Sequence, residues 1–95
     1  MCKSKSEFML KALSIANSYR DDNRRHPFGS IVVKDNKIVG IGKEASRVNH
    51  DPTAHSEIEA IRDACQNLKT HNLKGCVVYT SSEPCSMCLS SLYWS

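Results

Sequence analysis

In Thr53-Ala54-His55-Ser56-Glu57, an imidazole and a carboxylate stand two residues apart. Residues 58–83 separate them from Pro84-Cys85-Ser86-Met87-Cys88, which holds two thiols at i and i+3. His55, Cys85 and Cys88 suit a single zinc ion as ligands, and Glu57 is not needed in that role. Structural zinc sites are closed by four protein ligands, whereas a site with three keeps a position for water. A metal held this way lowers the pKa of water from about 15.7 toward about 7, which serves hydrolysis at neutral pH. A neighbouring carboxylate can take the proton from water and hand it to a leaving group, acting as base and then as acid. A lone Cys-x-x-Cys would read as a zinc ribbon or as two buried cysteines. The His-x-Glu upstream and the proline directly before Cys85 favour a catalytic metal instead.

These residues need helix beginnings to hold them. Proline suits the first helical position, so a helix is expected over 84–93, with Cys85 and Cys88 in its first turn. The free N–H groups and the positive dipole end there favour thiolate, the form a metal requires. A second helix is expected over 54–68, burying Ile58, Ile61, Cys65 and Leu68. Residues at i and i+2 inside a helix point apart. His55 and Glu57 can therefore converge only if His55 lies at the helix entry. Thr53 as N-cap would place it there, whereas Asp51 as cap with Pro52 at the first position would set it deeper.

Upstream, Ser4-Lys5-Ser6-Glu7 has the form of a capping box, and a helix is expected over 6–22. Phe8, Ala12, Ile15 and Tyr19, flanked by Met9, Leu13 and Ala16, make its apolar stripe. Residues 21–26 read as a loop and Pro27-Phe28-Gly29 as a break. Strands are expected over 30–34 and 37–41, joined by an Asp35-Asn36 turn. The apolar run 76–80 reads as a strand buried on both faces. The order helix, hairpin, helix, strand, helix implies an α/β layered fold with a right-handed parallel crossover.

With 95 residues, 40% of them hydrophobic and 24% charged, the chain has room for one small domain. No apolar run approaches the roughly 20 residues of a membrane helix, so no membrane partner is expected. The charged start Met1-Cys2-Lys3-Ser4-Lys5-Ser6 is followed by no apolar core and is not a secretory signal. Five cysteines without such a signal fit reduced thiols and a cytoplasmic location. The net charge of +3 is too mild to call for a nucleic-acid partner. Cys65 reads as core, and Cys2 and Cys76 have no partner pattern. His26, His50 and His71 read as solvated, with His50 nearest the site. Arg24-Arg25-His26 reads as ordinary surface.

The segments Pro27-Phe28-Gly29, Asp51-Pro52-Thr53-Ala54-His55-Ser56-Glu57-Ile58 and Tyr79-Thr80-Ser81-Ser82-Glu83-Pro84-Cys85-Ser86-Met87-Cys88-Leu89 resemble the cytidine and deoxycytidylate deaminase superfamily. His-x-Glu followed by Pro-Cys-x-x-Cys is the signature of its zinc-dependent nucleobase deaminases. Within it the chain is most similar to the guanine deaminase and nucleoside deaminase branch, with tRNA adenosine deaminases as near relatives. The resemblance implies an α/β/α sandwich whose five-stranded sheet runs 2-1-3-4-5. Residues 1–95 would supply the first three strands, in order 2-1-3, and three helices of an incomplete zinc-dependent deaminase domain. It also implies one zinc per chain on His55, Cys85 and Cys88, with Glu57 as proton carrier.

Guanine would be the leading substrate, converted to xanthine with release of ammonia, so the expected partner is a purine or related heterocycle. Phe28 resembles the aromatic residue lining the base pocket, with a core phenylalanine as the plain alternative. Trp94 resembles the tryptophan of guanine deaminases, against simple packing. Glu44 falls where the family has a base-binding asparagine; an amide donates and accepts, whereas a carboxylate only accepts. Ser56 stands where alanine is common. A homodimer or higher association is expected. The alternatives are a tRNA-editing adenosine deaminase and a zinc-binding remnant without activity.

Overall fold

Gly42 and Gly40 decide how closely the molecule's central helix approaches its sheet. In a computed structural model, residues 5–18, 28–81 and 84–95 are described. Their elements are α1 (Lys5–Asn17), β1 (Gly29–Lys34), β2 (Lys37–Lys43), α2 (Ser56–Leu68), β3 (Val77–Thr80) and α3 (Ser86–Trp94). The sheet order is β2-β1-β3, and β1 is antiparallel to both neighbours. β3 therefore runs in the same sense as β2, but β1 lies between them. The expected parallel crossover holds for direction, while every hydrogen-bonded pair is antiparallel.

Asp35 and Asn36 both have positive φ, 52° and 62°, the backbone a two-residue hairpin turn demands. The hairpin carries a register shift between Val32 and Val33. Ile31 and Val33 face α1, packing with Phe8 and Ile15. Val32 faces α2, packing with Ala60, Ala64 and Leu73. Alternate residues of one strand thus fill two cores on opposite faces, as a period of two requires. Phe8 meets Tyr79 with ring centroids 5.3 Å apart.

The α2 face has glycine where the helix presses hardest. A Cβ at Gly42 would lie 1.9 Å from the Ser56 carbonyl oxygen, and one at Gly40 would lie 2.5 Å from that of Ala60. Those are backbone atoms, so any side chain would push α2 away. Gly42 pairs with Ser30, so the start of α2 rests directly over that residue.

Several expectations change. The first helix, expected to 22, ends at Asn17, with Ser18 in a turn. Residues 19–22, with Tyr19, lie outside the described residues, as do Cys2, Ser4, the 21–26 loop and Pro27. Met9 and Leu13 are exposed, because only the Phe8, Ala12, Ile15, Ala16 edge reaches the sheet. On α2, Ala60 and Ala64 are fully buried while Ile61, Cys65 and Leu68 are half-buried. Small residues occupy the line of closest approach and larger ones flank it. β3 is not buried on both faces. Val77 is 52% exposed and the rest are half-buried, because among the described residues only one edge of β3 is paired. α3 starts at Ser86, so Pro84 precedes the helix rather than opening it.

Candidate metal centre

Two helix beginnings meet at the site, and each offers its N-cap as a ligand. His55 caps α2 with φ −74° and ψ 159°. Cys85 caps α3 with φ −71° and ψ 173°. The His55 ring makes no cap bond to its own helix, so it is available to turn toward a metal. Cys88 lies one turn into α3 and is fully buried. Thr53 is not the N-cap, and neither is Asp51. Asp51 Oδ1 instead accepts from the Thr53 N–H at 2.9 Å and the Thr53 hydroxyl at 2.6 Å. These bonds hold the Asp51 carboxyl below its ordinary pKa, helped by Arg62. The turn delivers Ala54, whose carbonyl accepts from the Ala45 N–H at 2.8 Å. His55 follows in extended backbone, so the divergence of i and i+2 inside a helix does not apply to it and Glu57.

Cys85 Sγ lies 3.6 Å from His55 Nδ1 and 3.5 Å from Cys88 Sγ, and Cys88 Sγ lies 3.4 Å from Nδ1. Tetrahedral zinc with about 2.3 Å bonds to sulfur and about 2.0–2.1 Å to nitrogen spaces its ligands roughly 3.5–3.8 Å apart. The three donor atoms match that spacing in the protein itself. His55, Cys85 and Cys88 form the one group among the described residues whose ligand atoms all lie within 4.8 Å of one another.

The two thiols differ. The Cys88 N–H bonding to the sulfur of Cys85 lowers that thiol's pKa, and His55 adds to it. Burial pushes the Cys88 thiol up, with the Cys85 sulfur and the Glu57 carboxylate acting the same way. Glu57 is thus near enough to Cys88 for its charge to act on the thiol. It is itself buried and accepts on Oε1 from Ser56 Oγ at 2.6 Å.

Phe28 and Glu44 come together through the bond of the Glu44 N–H to the Phe28 carbonyl, 3.4 Å long. Since Ala45 pairs with Ala54, both stand beside the segment that leads into His55. Phe28 is 41% exposed, whereas Glu44 is 2% exposed and accepts from the N–H of Ser46 at 2.7 Å and from its hydroxyl. Trp94 is not gathered in. It is 88% exposed and lies at the opposite end of α3 from Cys85, roughly 13 Å along the axis at 1.5 Å per residue. Nothing among the described residues of this chain places its ring against the metal ligands. Ser30 and Thr80 were missed by sequence reasoning. The available signal was a serine inside an otherwise apolar strand, where a buried hydroxyl requires a partner.

An α/β/α layer structure with a His-Cys-Cys centre at two helix N-termini and a buried carboxylate beside it defines a zinc-site class with three protein ligands and an open position. The chain belongs to the cytidine and deoxycytidylate deaminase family, whose zinc-binding region matches residues 2–95. It is 41% identical over 88 residues to the guanine deaminase of Bacillus subtilis, covering 93% of this chain and 56% of that protein. A tRNA-specific adenosine deaminase of Buchnera aphidicola is 42% identical over 69 residues, covering 73% of this chain and 43% of the relative. The X-ray structure of guanine deaminase from Bacillus subtilis superposes with a TM-score of 0.92 at 39% identity, over 97% of this chain and 59% of that one. A tRNA:A34 deaminase structure gives 0.84 at 36% identity, over 93% and 67%. The chain thus spans a little over half the length of the guanine deaminase it matches. Its cofactor is zinc, and His55, Cys85 and Cys88 are positioned to hold it.

Proposed function

We propose that this chain carries the zinc centre of a guanine deaminase, replacing the exocyclic amine of a free purine by oxygen and releasing ammonia. The observation that carries this reading is the pre-spaced His55–Cys85–Cys88 triad with Glu57 buried beside Cys88. The similarity to the Bacillus subtilis enzyme supports the choice of guanine. When bound, zinc supplies a water acidic enough to attack at neutral pH. Glu57 would take a proton from water and hand it to the departing nitrogen while the other water proton ends on the ring nitrogen, so that one C–O bond forms, one C–N bond breaks and ammonia leaves. Phe28 offers a ring for the base to lie against. Glu44, buried and accepting from Ser46, would have to exchange those bonds to accept N–H groups of the heterocycle, where an amide would also donate. Ser56 supports Glu57 from behind. Trp94, exposed at the end of α3, offers a second ring to a base.

Residues 1–95 are read as part of a single deaminase domain working in purine metabolism. A reducing, cytoplasmic setting agrees with two thiolate ligands and with Cys65 and Cys76 unbridged. No helix among the described residues is long and apolar enough to cross a membrane. Association of copies belongs to the same reading, supported by exposed Val77, Leu89, Tyr93 and Trp94. Sedimentation velocity across a tenfold concentration range reads it, and a concentration-independent monomer contradicts it.

The test is ammonia release from guanine by the zinc-loaded chain. Glu57→Gln is expected to keep one zinc and to lose on the order of 10²–10⁴-fold in kcat. Full zinc occupancy without ammonia from guanine or any purine tried would leave a zinc-binding remnant. The similarity to tRNA-specific adenosine deaminases favours one second reading, A-to-I editing. It requires strongly salt-dependent binding of tRNA in a gel shift.

A further inference from the structure

Glu57 is held from behind by hydroxyls. Ser56 Oγ donates to its Oε1 at 2.6 Å, the length of a hydroxyl–carboxylate bond. Ser30 Oγ lies 2.9 Å from Ser56 Oγ, 3.4 Å from Glu57 Oε1 and 3.0 Å from Thr80 Oγ1. Ser30 is 0% exposed and Ser56 1%, so water does not serve either hydroxyl. Three elements converge here. Ser30 is on β1, its direct partner Thr80 is on β3, and Ser56 opens α2 over the missing side chain of Gly42.

Elsewhere on this face β1 presents Val32 to alanines of α2, so apolar packing was available at the same interface. The hydroxyls instead cluster around one acid. Both of their contacts to Glu57 fall on Oε1, leaving Oε2 outside the cluster. A serine proton can serve only one acceptor at a time. Ser56 therefore makes the short bond to the carboxylate, while Ser30 fixes Ser56 and is itself fixed by Thr80.

We propose that Ser56, backed by Ser30 and Thr80, is a positioning residue that locks the Glu57 carboxylate in the orientation proton transfer needs. The inference rests on the reading of Glu57 as proton carrier. Displacing a reacting group by about 1 Å costs on the order of 100-fold in rate, so a hydroxyl that removes rotational freedom has a catalytic effect without touching substrate.

The test compares the zinc-loaded chain with Ser56→Ala, Ser56→Thr and Ser30→Ala. None of these hydroxyls is a metal ligand, so zinc content stays at one per chain. In a crystal structure of zinc-loaded Ser56→Ala, the Glu57 carboxylate is expected to leave its position or divide between rotamers. A single, unmoved rotamer overturns the proposal. In ammonia release from guanine, Ser56→Ala is expected to lower kcat roughly 10–100-fold with KM changed less than about twofold. Ser56→Thr keeps the hydroxyl and is expected to recover most of that loss. Equal losses in the alanine and threonine variants, or a loss confined to KM, overturn the proposal as well. Should Ser56→Ala fail to fold, Ser30→Ala carries the same two measurements. If the unaltered chain releases no ammonia from guanine, the proposed function fails, while the position of Glu57 in the variant still decides this inference.

Discussion

Cys85 and Cys88 are three residues apart, yet their surroundings push their proton affinities in opposite directions. The Cys88 N–H at the start of α3 stabilises a thiolate on Cys85, whereas burial keeps Cys88 protonated without a metal. Zinc requires thiolate at both, so its uptake must expel the Cys88 proton. Because that thiol's affinity for protons is raised, the proton is fully present at neutral pH, and raising the pH helps the metal. Zinc affinity is expected to climb at least tenfold per pH unit between pH 6 and 8, the Cys88 proton being released with every ion bound. Competition against a chromophoric chelator measures the slope, and a flat profile would contradict the protonated Cys88. Asp51 has the opposite sign. Its lowered pKa means that the turn it holds is favoured above the ordinary aspartate value and weakens as the pH falls through the folded one.

At the scale of elements, the site depends on how far α2 descends onto β2. Gly42 permits that descent because any Cβ there would fall 1.9 Å from the Ser56 carbonyl and 2.4 Å from the Ala60 nitrogen. Gly42→Ala is expected to lift the start of α2, carrying His55 and Glu57 with it. Overpacking of this kind costs about 1–3 kcal/mol. A urea titration of the variant should show the lower midpoint, and its zinc affinity should fall as well, since one ligand moves away from the other two. Unchanged affinity with a lowered midpoint would mean that His55 does not depend on the packing of α2. The same elements explain which sequence expectations held. The Asp35-Asn36 turn and the alternating hairpin were legible because their signals are local. The cap of α2 was not. The sequence offered Thr53 and Asp51 as caps, whereas the Asp51 turn and the Ala45–Ala54 bond lead the chain into the helix at His55.

At the scale of the molecule, zinc ties α3 to α2. The α3 helix leaves Leu89, Tyr93 and Trp94 exposed and buries only Cys88 among its residues. Little apolar area therefore fixes α3, and the metal bond does that work. With free zinc a thousandfold above its dissociation constant, linkage adds about 4.1 kcal/mol to folding. At about 4–8 °C per kcal/mol for a domain of this size, the midpoint should rise by at least ~15 °C. Thermal melts with zinc and with a chelator test this, and equal midpoints would show that the folded chain binds no zinc.

The sequence by itself determined the ligand types, the spacing of Cys85 and Cys88, the hairpin and the layer order. Each follows from residue chemistry or from a periodicity of a few residues. Only the tertiary structure decided that His55 is an N-cap, that its Nδ1 faces both sulfurs, that Trp94 points away, and that Ser30 and Thr80 stand behind Glu57. The contacts of Nδ1 with the sulfurs and of the Ser30 hydroxyl with Ser56, Glu57 and Thr80 join residues 26 to 50 positions apart, set by sheet register and by the depth to which glycine lets a helix settle. No local pattern encodes a distance of that kind.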